Sequence, residues 1–176
     1  MGLFRRFSKD KRGVSAVEFA LIAPALIAFY FGLAELTQAM MAERRASHTA
    51  SSIGDLVAQS TQVNSATITD IFSIGKTIIS PFPTASLKMR VSSIVADSSL
   101  SPKVAWSSGD GMTPLGTGST STVPDGLLTK AGDSVIKSEV SYAYDSPVDF
   151  FVPNAVTFTK TFYLRPRKSD SVAKVN

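Results

Sequence analysis

The chain has 176 residues, 44% of them apolar, with no cysteine and a formal net charge of +4. That length suits one modest domain with appendages, and the lack of cysteine excludes a disulfide framework and any thiolate-held metal site. The charge does not point to nucleic acid. Five basic residues and Asp10 lie within residues 1–13, the other residues carry 13 basic and 13 acidic side chains, and no basic stripe interleaved with aromatics occurs further on.

The first element is the basic leader itself, with Arg5, Arg6, Lys9, Lys11 and Arg12 ahead of Gly13. From Phe19 to Ala34 the chain then reads FALIAPALIAFYFGLA, without a charge. At about 1.5 Å per residue that run covers roughly 24 Å, short of the roughly 30 Å hydrocarbon core of a bilayer. Adding Val14 to Val17 brings it to about 31 Å, which spans. A crossing segment therefore takes in Glu18, and a carboxylate at bilayer depth costs a few kcal/mol. A transmembrane helix is expected over 14–41. The basic cluster before it, with only Arg44 and Arg45 soon after it, predicts an N-in, C-out orientation.

Three readings fit this segment. It is a cleaved secretory signal with Gly32, Leu33 and Ala34 at the cleavage site, a plain signal anchor, or a prepilin-type leader cut on the cytoplasmic side of the apolar run. The third alone gives Glu18 a role. A cut after Gly13 creates an α-ammonium on Val14 and puts Glu18 at the fifth position beyond the cut. The carboxylate of one subunit then pairs with the free amine of a neighbour, and two groups costly to bury alone compensate each other. Such a pair also fixes axial register, as one buried polar residue does in a coiled coil.

The stretch RGVSAVEFALIAPALIAFYFGLAE, residues 12–35, resembles the N-terminus of TadE-like and TadG-like pseudopilins of the Flp (tight adherence) pilus system. In that family a leader ends in Gly, the glutamate is the fifth residue after it, and an aromatic residue comes next. Gly13, Glu18 and Phe19 match, and Ala16, Pro24, Gly32 and Glu35 stand where similar residues are common. The segment TFYLRPR at 161–167 also resembles the end of these proteins. The resemblance implies cleavage between Gly13 and Val14 by a membrane aspartic prepilin peptidase. It further implies a minor pilin that initiates, caps or anchors a type IV pilus used for surface adherence. The chain is far longer than the tiny major pilin of such systems, which argues against the fibre body. The implied partners are the peptidase, other pilins and pseudopilins, the inner-membrane assembly platform and membrane lipid. The implied location is the bacterial inner membrane, single-pass, with a periplasmic domain that can enter the pilus at the cell surface.

Pro24 reads as a kink, since neighbours accommodate proline within membrane helices. Glu35 reads as a solvated acid at the far interface. Beyond it, ELTQAMMAERRASHTASSIGDLVAQ is rich in helix formers and predicts an amphipathic continuation, with Met40, Ile53, Leu56 and Val57 packing on later parts of the chain and Gly54-Asp55 as a bend or restart. Ile68, Ile71, Phe72, Ile78 and Ile79 predict a second short helix stopped before Pro81, completing a helical region at 42–80.

Residues 81–168 change texture to a β-rich domain. Leu87, Met89, Val91 and Val95 alternate with Lys88, Arg90 and Ser92. Val104 and Trp106 mark a second strand, Ile136, Val140, Tyr142 and Tyr144 a third, and Phe158, Phe162 and Leu164 a fourth. The expected fold class is α+β: a long N-terminal helix continuing into a small domain whose antiparallel four-stranded sheet is covered on one face by helix. The Gly, Ser and Thr-rich stretch 107–133 reads as a flexible linker or a presented surface loop, and 169–176 as a flexible tail.

Chemistry-bearing constellations are sparse. His48 is the only histidine and reads as a solvated surface residue without a second metal ligand. No Gly-x-Ser-x-Gly elbow, nucleotide-binding glycine signature or EF-hand spacing occurs. No enzymatic activity, cofactor or metal is expected. The alternatives are a signal-anchored periplasmic binding or adhesion domain with no part in pilus assembly and, more remotely, a periplasmic enzyme using His48.

Overall fold

The computed structural model describes residues 13–146 and 155–175. Residues 1–12 of the expected leader lie outside them. The chain opens with one helix of 45 residues, α1 (Val14–Ala58), about 68 Å long. Its two parts differ in surroundings. As far as Met41 most side chains are exposed, including Phe19 and Leu21, and Glu35 is buried, whereas from Ala42 onward a continuous buried stripe appears. Ala42, Ala46, Thr49, Ala50, Ile53, Gly54, Val57 and Ala58 recur at helical spacing and form the face that meets the sheet.

Small residues dominate that stripe because the helix lies close on its partners. A Cβ placed on Gly54 would come within 2.6 Å of Leu164 Cδ1 and 2.9 Å of Ser138 Cβ. At the same crossing, Ser138 Oγ donates to the Ala50 carbonyl at 2.7 Å. Gly54 is therefore a contact point, and α1 continues through Gly54-Asp55 without a restart. Ile53 and Val57 are buried and Leu56 partly so, as expected, but Met40 lies on the opposite side of the helix and is exposed.

A two-residue strand β1 (Gln62–Val63) leads into α2 (Ser65–Ile79). The Asn64 side chain caps α2 by accepting from the Thr67 backbone N–H at 2.8 Å. The buried face of α2 is Ile68, Ile71, Phe72, Gly75 and Ile79, spaced three and four apart. Arg45 of α1 donates to the Ile78 carbonyl at 3.0 Å and ties the two helices together.

The sheet comprises β2 (Leu87–Ala96), β3 (Pro102–Asp110), β4 (Ser134–Tyr144) and β5 (Val156–Leu164), antiparallel in the order β3-β2-β4-β5. Leu87, Met89, Val91, Trp106, Ile136, Val140, Tyr142 and Tyr144 face the helices and form the main core. The α+β architecture, four strands on helix, is the expected one. Edge strand β5 carries Lys160 on its half-buried face, where it pairs with Glu43 of α1 at 2.6 Å. An inward charge on an edge strand discourages further strand pairing.

The sheet has a second, smaller core on its other face. Ile94 pairs across the sheet with Val104 and Val135, and all three are buried although they point away from the helices. The segment after β3 covers them. It forms backbone bonds from Val104 N to the Ser119 carbonyl and from Gly118 N to the Val104 carbonyl. Arg90 Nη1 donates to the Thr113 carbonyl, and the Tyr163 hydroxyl to the Thr122 carbonyl. The first part of the expected 107–133 loop thus belongs to β3, and the remainder is bonded to β3 and the outer face of the sheet.

Beneath it sits an ion triad. Glu139 accepts from Arg90 at 2.7 Å and from Lys137 at 3.1 Å, with all three side chains largely buried. Burial pushes the Glu139 carboxyl up, but its hydrogen bonds and attraction to Arg90 and Lys137 outweigh that and hold it below the ordinary range. A depressed carboxyl contributes stability above its unfolded pKa and loses it as pH falls through the folded one. Glu139→Gln should therefore unfold at a lower temperature than the parent at pH 7, with the gap narrowing below about pH 4. Thermal unfolding of both chains at pH 7, 5 and 3 checks this, and a gap that stays constant contradicts it.

The chain end departs from the expectation of a flexible tail. Arg167 N donates to the Ala58 carbonyl at 2.9 Å, and β6 (Ala173–Lys174) pairs in parallel with β1. Val172 is buried, and its carbonyl accepts from Trp106 Nε1 at 2.7 Å. The core thus satisfies the only tryptophan through the last residues of the chain, and in doing so pins them.

Candidate membrane and assembly site

Gly13 stands at the start of α1 in helical geometry (φ −84°, ψ −14°), without a side-chain cap. No other part of the described fold comes within 4 Å of a Cβ built there. The Gly13–Val14 bond thus lies at a helix end that the domain does not cover. Val14 is exposed, as are Glu18 and Phe19. One helical turn separates Val14 from Glu18, which puts both on one side of α1. All four residues are exposed near one end of the rod, with Val14 and Glu18 on one side of α1 and Phe19 turned about 140° away from Val14.

The patch opens onto an apolar surface. The N-terminal part of α1 is long and apolar enough to cross a membrane, and none of that stretch is buried by the rest of the protein. Phe19, Leu21, Ile22, Leu26, Phe29 and Tyr30 are all more than half exposed. A soluble protein would bury such a run against its core. Pro24 lies inside this stretch and the helix continues through it.

At the other end of the apolar stretch, Glu35 corrects the expectation of a solvated acid, because only 2% of its surface is accessible. The reason is its phase. Glu35 stands seven residues before Ala42 and so lies on the stripe that faces the domain. Tyr144, at the end of β4, and Ser146 are buried nearby. Burial pushes the Tyr144 hydroxyl above its ordinary pKa, the Ser146 hydrogen bond opposes this, and the negative charges of Glu35 and Asp145 add to it. Phe82 packs edge-on against Tyr144 at 5.8 Å between ring centres. This junction of Glu35, Tyr144 and Ser146 is a site that alternation and composition alone did not reveal. Its signal was the heptad-like spacing of Glu35, Ala42 and Thr49.

His48 is exposed on α1. Among the described residues, no group of three or more His, Asp or Glu side chains is arranged to hold a metal ion.

Residues 13–54 match the family model described as TadE-like protein. The matched span begins at Gly13, takes in the whole exposed apolar stretch, and ends at the Gly54 crossing. Comparison with curated proteins and with solved structures found no match.

Proposed function

We propose that this protein is a minor pilin of a tight-adherence (Flp-type) pilus, matured by a prepilin peptidase that cuts between Gly13 and Val14. The observation that carries the reading is the TadE-like match beginning at Gly13, on a helix whose apolar half has no partner within the protein. The peptidase would meet a bond that the domain leaves uncovered. The cut would release the basic leader and leave an α-ammonium one helical turn from Glu18. The apolar helix holds the protein in the inner membrane until assembly, with the domain on the periplasmic side. In the assembled fibre, Glu18 meets the new amine of a neighbouring pilin and sets the axial register. The domain makes the contacts that give this subunit its initiating, capping or anchoring role.

N-terminal sequencing of the protein from a membrane fraction tests the reading. The expected read is Val-Ser-Ala-Val-Glu in cells with the peptidase and Met1 in cells without it. A read beginning at Glu35 would instead indicate a secreted domain, and an intact Met1 in both strains a plain signal anchor. Either result removes the pilin reading.

A further inference from the structure

The exposed apolar surface of α1 does not stop where the domain begins. On the domain side of the helix the apolar run ends at Ala34, because Glu35 is already buried against Tyr144 and its neighbours. On the opposite side it continues. Leu33, Leu36, Met40 and Met41 are 40 to 55% exposed, and the first three line one face at spacings of three and four. The residue on that face with a polar side chain, Thr37, donates its hydroxyl to the Leu33 carbonyl at 2.8 Å, so the helix itself satisfies it. Beyond Met40 the face turns polar, at its edge with Glu43, which pairs with Lys160, and at its centre with exposed Arg44, and exposed His48 comes one turn later.

We infer that this one-sided stripe lies in the bilayer leaflet next to the domain, so that α1 leaves the membrane at a slant with the domain carried on its upper side. The inference rests on the membrane-anchored reading and adds which face of the junction meets lipid. Three features select lipid as the occupant. The stripe is continuous with the membrane-length apolar surface. Its hydroxyl needs no water, as hydrocarbon requires. At its end Glu43 is paired with Lys160 of the domain, and Arg44 has a long stem that lets its guanidinium reach the headgroups while the stripe stays immersed. Length agrees: along the stripe the apolar side runs from Val14 to Met41, about 42 Å, against about 31 Å on the domain side and a core of roughly 30 Å. A helix with too long an apolar side relieves the excess by tilting.

The chain contains no cysteine, so single-cysteine variants can be labelled at one position each. The experiment uses full-length Phe29→Cys, Gln38→Cys, Met40→Cys and Ser51→Cys, each carrying an environment-sensitive fluorophore. Each is reconstituted in phosphatidylcholine–phosphatidylglycerol vesicles whose acyl chains carry bromine, a contact quencher. Phe29 marks the middle of the span, Gln38 an exposed flank at the height of the stripe, and Ser51 the aqueous domain. The inference expects quenching at Met40 within about twofold of that at Phe29, as for an apolar face sunk about 5–10 Å below the headgroups, with Gln38 much less affected and Ser51 unaffected. Quenching at Phe29 with none at Met40 overturns the slanted stripe and leaves the anchor intact. Equal quenching at Met40 and Gln38 also overturns it, since the helix would then be sunk on all sides. Absence of quenching at Phe29 removes the membrane reading together with the inference.

Discussion

Glu18→Ala should be cut after Gly13 as the parent is, yet be lost from the assembled fibre. Glu18 is exposed on a helix end that the domain leaves bare, so its removal disturbs nothing within the subunit. Its cost arises only when subunits meet. On the proposed pairing, the parent's carboxylate would compensate the Val14 ammonium of a neighbour as both leave water. In the variant that ammonium would enter the apolar bundle alone. Removing one member of a buried ion pair costs about 3–5 kcal/mol, which is more than a hundredfold in an association constant. The measurement compares the amounts of mature variant and parent in purified fibres with those in membranes. Equal incorporation of Glu18→Ala would remove the pairing mechanism, while a normal N-terminal read would leave the processing mechanism standing.

The second large effect lies in the domain. Gly54→Ala adds a single methyl group, yet should lower the unfolding temperature of the full chain in detergent by about 10 °C, corresponding to about 2–3 kcal/mol of overpacking. The added carbon would sit 2.6 Å from Leu164 Cδ1 and 2.9 Å from Ser138 Cβ. Leu164 can swing aside, but Ser138 cannot. Its Cβ is fixed by the β4 backbone, and its hydroxyl is bonded to Ala50 of the same helix. Relief requires lifting α1 from the sheet, which also loosens Ala50, Ile53 and Val57. Gly75→Ala is the control. Its closest neighbour is the Met89 sulfur at 2.6 Å, near the end of a flexible side chain, and the next contacts are at 3.2 and 3.3 Å. Gly75→Ala should cost clearly less, and equal losses at the two glycines would contradict this account.

These two positions differ in how far the sequence announced them. Glu18 stands out because a carboxylate inside an apolar run conflicts with its local surroundings, and such a conflict is visible without knowledge of the fold. The four strands were legible for a related reason: period-two alternation records one buried face directly. Gly54 was not legible as a contact point, since the need for a missing Cβ comes from Leu164 and Ser138, more than eighty residues away. The outer-face core was missed because Ile94 and Val135 break the alternation of their strands. Such breaks make sense only once residues 111–133 are known to fold over them. A stretch rich in Gly, Ser and Thr has the same composition whether its backbone bonds to water or to β3. The chain end was hidden likewise: Val172 and Val175 are equally apolar residues of a short polar tail, and only the Trp106 N–H gives Val172 its destination. Glu35 was readable in principle through its phase with Ala42 and Thr49, but its place at the end of a charge-free run outweighed that signal.

The unbroken course of α1 has a mechanical consequence. With no interruption at Gly54, and with Glu35, Ala42 and Ala46 all gripped by the domain, the domain and the upper part of the rod turn as one lever. Torque applied to the domain is delivered to the anchor instead of being absorbed at a swivel between them. Below the domain the helix contains Pro24, which cannot donate to the carbonyl one turn earlier and so softens the helix in bending. Pro24 lies near the middle of the apolar stretch. The joint of this molecule is thus inside its apolar anchor, where the helix can flex while the domain keeps its shape.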